Sequence, residues 1–177
     1  MHEILIAGFG GQGILFAGKF LAYEALLEDK QVSWLPSYGP EMRGGTANCS
    51  ITISDEPIGS PIVSKPTVLV AMNGPSLDKY ESEVKPGGYI FVDSSLISRK
   101  VTRTDVHVFY IPATQLASDN EMGGLANMII LGKVIKEAGV IPFENVPRAM
   151  GKVVSAKKQA LLDKNIKAVE IGYTYAE

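Results

Sequence analysis

The chain has 177 residues, a formal net charge of −2 and 46% hydrophobic residues. That length suits a single domain, residues 1–177, able to bury a core without staples, and the mild negative charge argues against nucleic acid or an anionic membrane surface as partner. The lone Cys49 excludes an internal disulfide and an iron–sulfur cluster held by this chain, and no apolar run approaches the ~20 residues of a membrane span.

His2-Glu3 leads straight into an apolar run, without the basic start of a signal peptide. The chain is therefore read as cytoplasmic, and its Asn48-Cys49-Ser50 sequon as a coincidence. Ile4-Leu5-Ile6-Ala7 reads as a buried parallel strand, and a glycine-rich turn, Gly8-Phe9-Gly10-Gly11-Gln12-Gly13, follows at once. From there Ile14, Ala17, Gly18, Leu21 and Ala25 recur at helical spacing. A strand, a tight turn and a helix N-terminus bring backbone N–H groups to an anion with no Cβ in the way.

Gly8, Gly10 and Gly13 fit the G-x-G-x-x-G dinucleotide fingerprint, which spacing alone does not separate from an ordinary crossover turn. The ribose-binding carboxylate of that fingerprint is missing. The second strand, Gln31–Leu35, runs into Pro36-Ser37-Tyr38, while Glu28 and Asp29 precede it. Gly13 to Lys19 also spells the start of a P-loop, but Phe20 stands where a magnesium-holding hydroxyl is required, and the intervening residues are apolar. Neither NAD nor ATP binding is supported.

Pro36 to Gly45 holds two prolines and three glycines, so it is a shaped loop. It displays Tyr38, Glu41, Met42 and Arg43, and an Arg followed by Gly44-Gly45 can bring its guanidinium and two backbone N–H groups to one phosphate or carboxylate. The plainer alternative is a surface loop in which Arg43 pairs with Glu41.

Thr46 to Ser54 alternates, with Ala47, Cys49, Ile51 and Ile53 on one face, and reads as a strand antiparallel to its neighbours or at a sheet edge. Strands follow over 67–72, 89–92 and 106–111. A helix is expected over 75–84, a short one over 112–118 and a longer one over 125–138 that stops at Gly139. A short helix over 142–150 and a closing helix from Ser155 to Ala168 or slightly beyond complete the chain. His2 and His107 are the only imidazoles; neither sits at metal-ligand spacing, and no nucleophile has an evident base. Any reaction is then carried by a cofactor or a partner chain. Alternating strands and helices make a three-layer α/β/α fold with a largely parallel sheet and a Rossmann-like glycine turn after the first strand. Its ligand edge is the carboxyl end of the strands.

The glycine turn, the string Ser37-Tyr38-Gly39-Pro40-Glu41-Met42-Arg43-Gly44-Gly45, and Ala126-Asn127-Met128 with Leu131-Gly132 resemble the gamma subunit of the 2-oxoacid:ferredoxin oxidoreductases. The resemblance runs nearly end to end. It implies a subunit of a complex that converts a 2-oxoacid, coenzyme A and oxidised ferredoxin into an acyl-CoA, carbon dioxide and reduced ferredoxin. Alpha and beta subunits, with a delta or ferredoxin-like subunit, are the implied partners; they hold thiamine diphosphate, magnesium and the iron–sulfur clusters. The small subunit of indolepyruvate oxidoreductase is similar at the glycine turn, but reads Gln-Arg-Gly-Gly where this chain has Met42-Arg43-Gly44-Gly45. The Pro40-Glu41-Met42 string resembles the 2-oxoglutarate and branched-chain 2-oxoacid enzymes, of which 2-oxoglutarate is the substrate favoured. On this resemblance Gly8, Gly10, Gly11, Gln12 and Gly13 are expected to meet a phosphate or pantetheine group of coenzyme A. Arg43 with Gly44 and Gly45 would meet an anion, and Tyr38 and Met42 would supply apolar wall. No residue is assigned a catalytic or metal-binding role. A second expectation makes the chain chiefly an assembly module.

Overall fold

Two-residue alternation in the strands builds both faces of the central sheet. The computed structural model describes residues 1–37 and 46–177. Six strands, β1 (His2–Phe9), β2 (Gln31–Pro36), β3 (Thr46–Ser54), β4 (Val68–Ala71), β5 (Tyr89–Asp93) and β6 (His107–Ile111), lie in the order β2-β3-β1-β4-β5-β6. β1, β4, β5 and β6 are mutually parallel, with Ile4 opposite Val68 and Val68 opposite Tyr89. β3 runs antiparallel to both β1 and β2. Of the two placements its alternation allowed, the antiparallel one holds and the sheet edge does not: β3 is interior, and β2 takes the edge.

Ile4, Ile6, Cys49, Ile51, Val68, Val70, Phe91 and Ile111 point to one side of the sheet and form the main core. α1 (Ile14–Leu27) lies on β1, β2 and β3, and α4 (Ala126–Ala138) reaches β5. α3 (Ala113–Asp119) packs on α4, and α5 (Val146–Val153) and α6 (Gln159–Thr174) pack against α1 and α4. The opposite side, built on Leu5, Leu69, Ile90 and Val92, carries α2 (Gly74–Tyr80), a 3-10 turn over Glu81–Glu83 and irregular chain bearing Ile97. The three layers expected are present, and the second helical layer is one short helix. α2 ends at Tyr80 rather than running to 84, because the chain tightens into the 3-10 turn there.

The C-terminal helix begins later and ends later than its sequence pattern predicted. Ala156–Lys158 forms a 3-10 turn, and α6 continues to Thr174 because Val169 and Gly172 extend its buried stripe. α4 stops as predicted, with Gly139 in the left-handed conformation (φ 61°) and its N–H bonded to Ile135 O. α4 and α6 touch backbone to backbone. A Cβ on Gly132 would overlap the carbonyl oxygen of Val169, and one on Gly172 would overlap that of Ile129.

Gly18 of α1 does similar work on the sheet: a Cβ there would lie 2.5 Å from Cys49 Sγ and 3.0 Å from Trp34 Nε1. Cys49 is buried, its thiol donates to Ile14 O at 3.4 Å, and burial pushes its pKa up to about 12. It is an inert core residue, as its strand position implied. His107 stands exposed on β6, stacked on Tyr89 with centroids 4.9 Å apart.

Candidate functional site

The carboxyl ends of the parallel strands bring the glycine turn (after β1), Asn73 (after β4) and Asp93 (end of β5) to one edge of the sheet. The register places Gly8 opposite Ala47 and Phe9 opposite Thr46, so the strand that follows the 38–45 segment starts beside the turn. Ser37 N–H donates to Asn48 O at 2.8 Å and extends that pairing to the last described residue before the segment.

The turn itself is closed by Gln12. Its backbone N–H reaches Phe9 O at 3.3 Å, its side-chain Oε1 accepts from Phe9 N–H at 2.6 Å, and its Nε2 donates to Met72 O at 3.0 Å. Both amide atoms expected to meet a ligand are thus engaged inside the chain, and Gln12 acts as a brace between the turn and β4. Gly8 is buried behind it: a Cβ there would overlap Gln12 Oε1 and come within 2.9 Å of Ile14 Cδ1. Its lack of a side chain makes room for the brace. Gly10 and Gly11 are exposed, and Gly11 takes φ 92° with open space where a Cβ would stand.

Gly13 (φ 73°) caps α1 with no side-chain hydrogen bond, and no acidic residue occupies the first turn of the helix. The first intrahelical bond runs from Ala17 N–H to Gly13 O at 3.0 Å, so the N–H groups of Ile14, Leu15 and Phe16 precede it. They border a shallow concavity of about 320 Å³ lined by Phe9, Gly10, Gly11, Gly13, Ile14, Leu15, Phe16 and Ala47. An uncapped helix N-terminus in an apolar hollow attracts an anion attached to an apolar body.

Two neighbouring polar groups at this edge are used internally. Asp93 is fully buried; its carboxylate accepts from Thr114 Oγ1 at 2.6 Å, and from the N–H of Ser95 at 3.1 Å. Asn73 caps α2 through Ser76 N–H at 2.8 Å. Tyr38, Met42, Arg43, Gly44 and Gly45 lie outside the described residues.

Asn127 received no role from the sequence. Placed in the first turn of α4, it donates from Nδ2 to Gly13 O at 3.0 Å across 114 positions. Its membership in the Ala126-Asn127-Met128 string was the only signal that could have found it. Among the described residues no group of three or more His, Cys, Asp and Glu is placed to hold a metal ion, and no helix is long and apolar enough to cross a membrane. A second hollow of about 420 Å³ lies at the opposite edge of the sheet, between His2, Glu28, Lys30, Asp55 and Ile141. Lys30 and Asp55 pair with each other at 2.5 Å, and Glu28 accepts from the Asn145 amide.

Residues 3–175 match the model of the pyruvate ferredoxin/flavodoxin oxidoreductase family. The ketoisovalerate oxidoreductase subunit VorA of Methanothermobacter thermautotrophicus is 40% identical over 175 residues, 98% of this chain and 36% of that protein. This chain therefore spans about a third of that relative. The 2-oxoglutarate synthase subunit KorC of Methanocaldococcus jannaschii is 37% identical over 178 residues, 99% of this chain and 94% of that one. Among solved structures, the gamma subunit of a keto/oxoacid ferredoxin oxidoreductase from Geobacter sulfurreducens superposes with a TM-score of 0.83 at 29% identity, covering 98% of this chain and 96% of that one.

Proposed function

Because the chain belongs to the pyruvate ferredoxin/flavodoxin oxidoreductase family, we propose that it is the gamma subunit of a cytoplasmic 2-oxoacid:ferredoxin oxidoreductase. The assembled enzyme would join the acyl group of a 2-oxoacid to coenzyme A, release carbon dioxide and pass the electrons to ferredoxin. The observation that carries this reading is the family match over residues 3–175. 2-Oxoglutarate is the substrate favoured, supported by the KorC relative matching along 94% of its length. Thiamine diphosphate, magnesium and iron–sulfur clusters fall to the alpha, beta and delta or ferredoxin-like subunits.

Within that complex the glycine turn lines the approach of coenzyme A. The N–H groups at Gly10, Gly11 and Gly13 and in the first turn of α1 receive a phosphate, and Phe9, Leu15 and Phe16 flank the pantetheine arm. Gln12 holds the turn in shape. Arg43, with Gly44 and Gly45, adds a guanidinium and backbone donors, and Tyr38 and Met42 complete the wall. Replacing Arg43→Ala removes one charge-assisted contact, which should raise the KM for coenzyme A about tenfold. The 2-oxoacid KM should stay where it is; kinetics unchanged in both would remove Arg43 from the site.

The test of the reading itself is anaerobic affinity isolation of this chain from its native extract. The eluate is assayed for coenzyme A-dependent viologen reduction with 2-oxoglutarate, branched-chain 2-oxoacids and indolepyruvate. Larger subunits, iron–sulfur absorption and activity on 2-oxoglutarate are expected, activity on indolepyruvate alone would reassign the substrate, and a lone colourless chain would overturn the subunit role.

A second reading, an assembly module, is favoured by one observation: Phe9 is 42% exposed at the rim of the same hollow that holds half-buried Leu15 and Phe16. Protection of Phe9–Phe16 from hydrogen exchange on assembly, with no further change on adding coenzyme A, would select it.

A further inference from the structure

Two helices begin at the candidate site, and one side chain joins them. Gly13 O ends the glycine turn and starts α1; it accepts from Ala17 N–H at 3.0 Å and from Asn127 Nδ2 at 3.0 Å. The fit is tight on both sides: a Cβ on Gly13 would overlap Asn127 Nδ2, and Gly13 holds φ 73°. Asn127 is 3% exposed. Exchanging its amide oxygen and nitrogen would face two oxygens across 3.0 Å, so the contact itself fixes the orientation.

That orientation leaves Asn127 Oδ1 buried with no hydrogen-bond partner among the described residues. An orphaned buried acceptor is destabilising. A core position that only needed filling would be served better by an apolar residue, so the donor to Gly13 is what the position requires. α4, which carries Asn127, is held against α6 through the Gly132 and Gly172 backbone contact and gives the amide a stiff footing. On the far side, Gln12 ties the same turn to Met72 O. The turn is clamped between α4 and β4, with its exposed members, Gly10 and Gly11, between the two clamps.

We infer that Asn127 is a positioning residue for the glycine turn: its Nδ2 fixes the Gly13 peptide, and with it the direction of the N–H groups at the start of α1. It acts through Gly13 and touches no reacting atom. Its effect on turnover rests on the coenzyme A role proposed above; its effect on the turn does not.

A matched control exists in the same helix pair. Asn165 on α6 is 2% exposed, donates from Nδ2 to Leu161 O at 2.8 Å and also leaves its Oδ1 orphaned, but it lies outside the turn. The experiment compares the assembled complex carrying Asn127→Ala, the near-isosteric Asn127→Asp, and Asn165→Ala. It reads amide exchange across residues 12–17, whose bonded N–H groups are Gln12 (to Phe9 O) and Ala17 (to Gly13 O), by mass spectrometry without coenzyme A, and the separate KM values for coenzyme A and 2-oxoacid. Both Asn127 variants should speed exchange at 12–17 at least fivefold over Asn165→Ala, and should raise the coenzyme A KM about tenfold with the 2-oxoacid KM unmoved. Faster exchange with an unmoved coenzyme A KM would keep Asn127 as the positioning residue and overturn the coenzyme A reading of the turn. Exchange no faster than in Asn165→Ala, in both variants, would overturn the inference.

Discussion

α1 and α4 start at the same point but are anchored in opposite ways. α4 buries a cation and satisfies it: Lys133, 4% exposed, reaches Glu137 Oε1 at 3.0 Å and Tyr175 O at 3.1 Å, and lies over the Phe109 ring. α1 buries an acid and leaves it unsatisfied: Glu24 is fully buried, with neither carboxyl oxygen partnered among the described residues. We expect the contrast to set where the domain is stiff. The α4 side, with its glycine-to-backbone contact on α6, is a fixed post. The α1 side carries a stored penalty in the last turn of the helix whose first turn forms the candidate site.

The largest effect should come from relieving that penalty. Burial first, then the nearby Glu28 and Glu144 carboxylates, push the Glu24 pKa up to about 8 from 4.5. Between those values the folded chain holds a proton the unfolded chain has lost, so stability falls as pH rises through the window and stays low above it. At about 1.4 kcal/mol per pH unit, the loss is on the order of 5 kcal/mol by pH 9. Glu24→Gln cannot ionise. It should match the native chain near pH 5 and unfold well above it at pH 9, followed by thermal melts in parallel buffers. Parallel melts across the range would show that Glu24 finds a partner or water and that α1 is no softer than α4.

The post can be broken in turn. Gly172→Ala sets a methyl group against the Ile129 carbonyl and forces α6 off α4, at a cost of about 3 kcal/mol. A urea titration should show the midpoint drop at every pH, unlike the Glu24 effect. The footing of Asn127 should loosen with it, and exchange at residues 12–17 should rise even though that substitution lies far along the chain.

Much of this was legible beforehand. The β1 apolar run, the glycine turn and the alternation of β3 each rest on short local patterns, and the Gly139 stop needs only a left-handed residue after an amphipathic stretch. The fold followed from them, and the family from the resemblance carried by the glycine turn, the 37–45 string and Ala126-Asn127-Met128 with Leu131-Gly132. What local pattern could not show were distant pairings: Asn127 with Gly13, and Gly132 with Gly172. Gln12 makes a further pairing that local pattern does not show. An amide in a glycine turn reads as a ligand contact, and only the position of Met72 O, sixty residues away, shows where it is spent. The interior place of β3 was similarly hidden, because alternation reports a face of the sheet and not a neighbour.

The smallest effect should come from α4's own buried charge. Replacing a buried, well-paired ion by an apolar side chain of similar volume is often close to neutral, since the lost pairing is offset by the desolvation no longer paid. Lys133→Met keeps the length of the stem against Phe109, leaves Glu137 with water, and orphans one acceptor of Tyr175 O. Its cost should be about 1 kcal/mol, a shift of a few degrees in Tm. Exchange at residues 12–17 should not change, because the backbone contact at Gly132 and Gly172 holds α4 without the lysine. A large loss, or a loosened turn, would mean that the ion pair and not the glycine contact makes α4 the stiff partner.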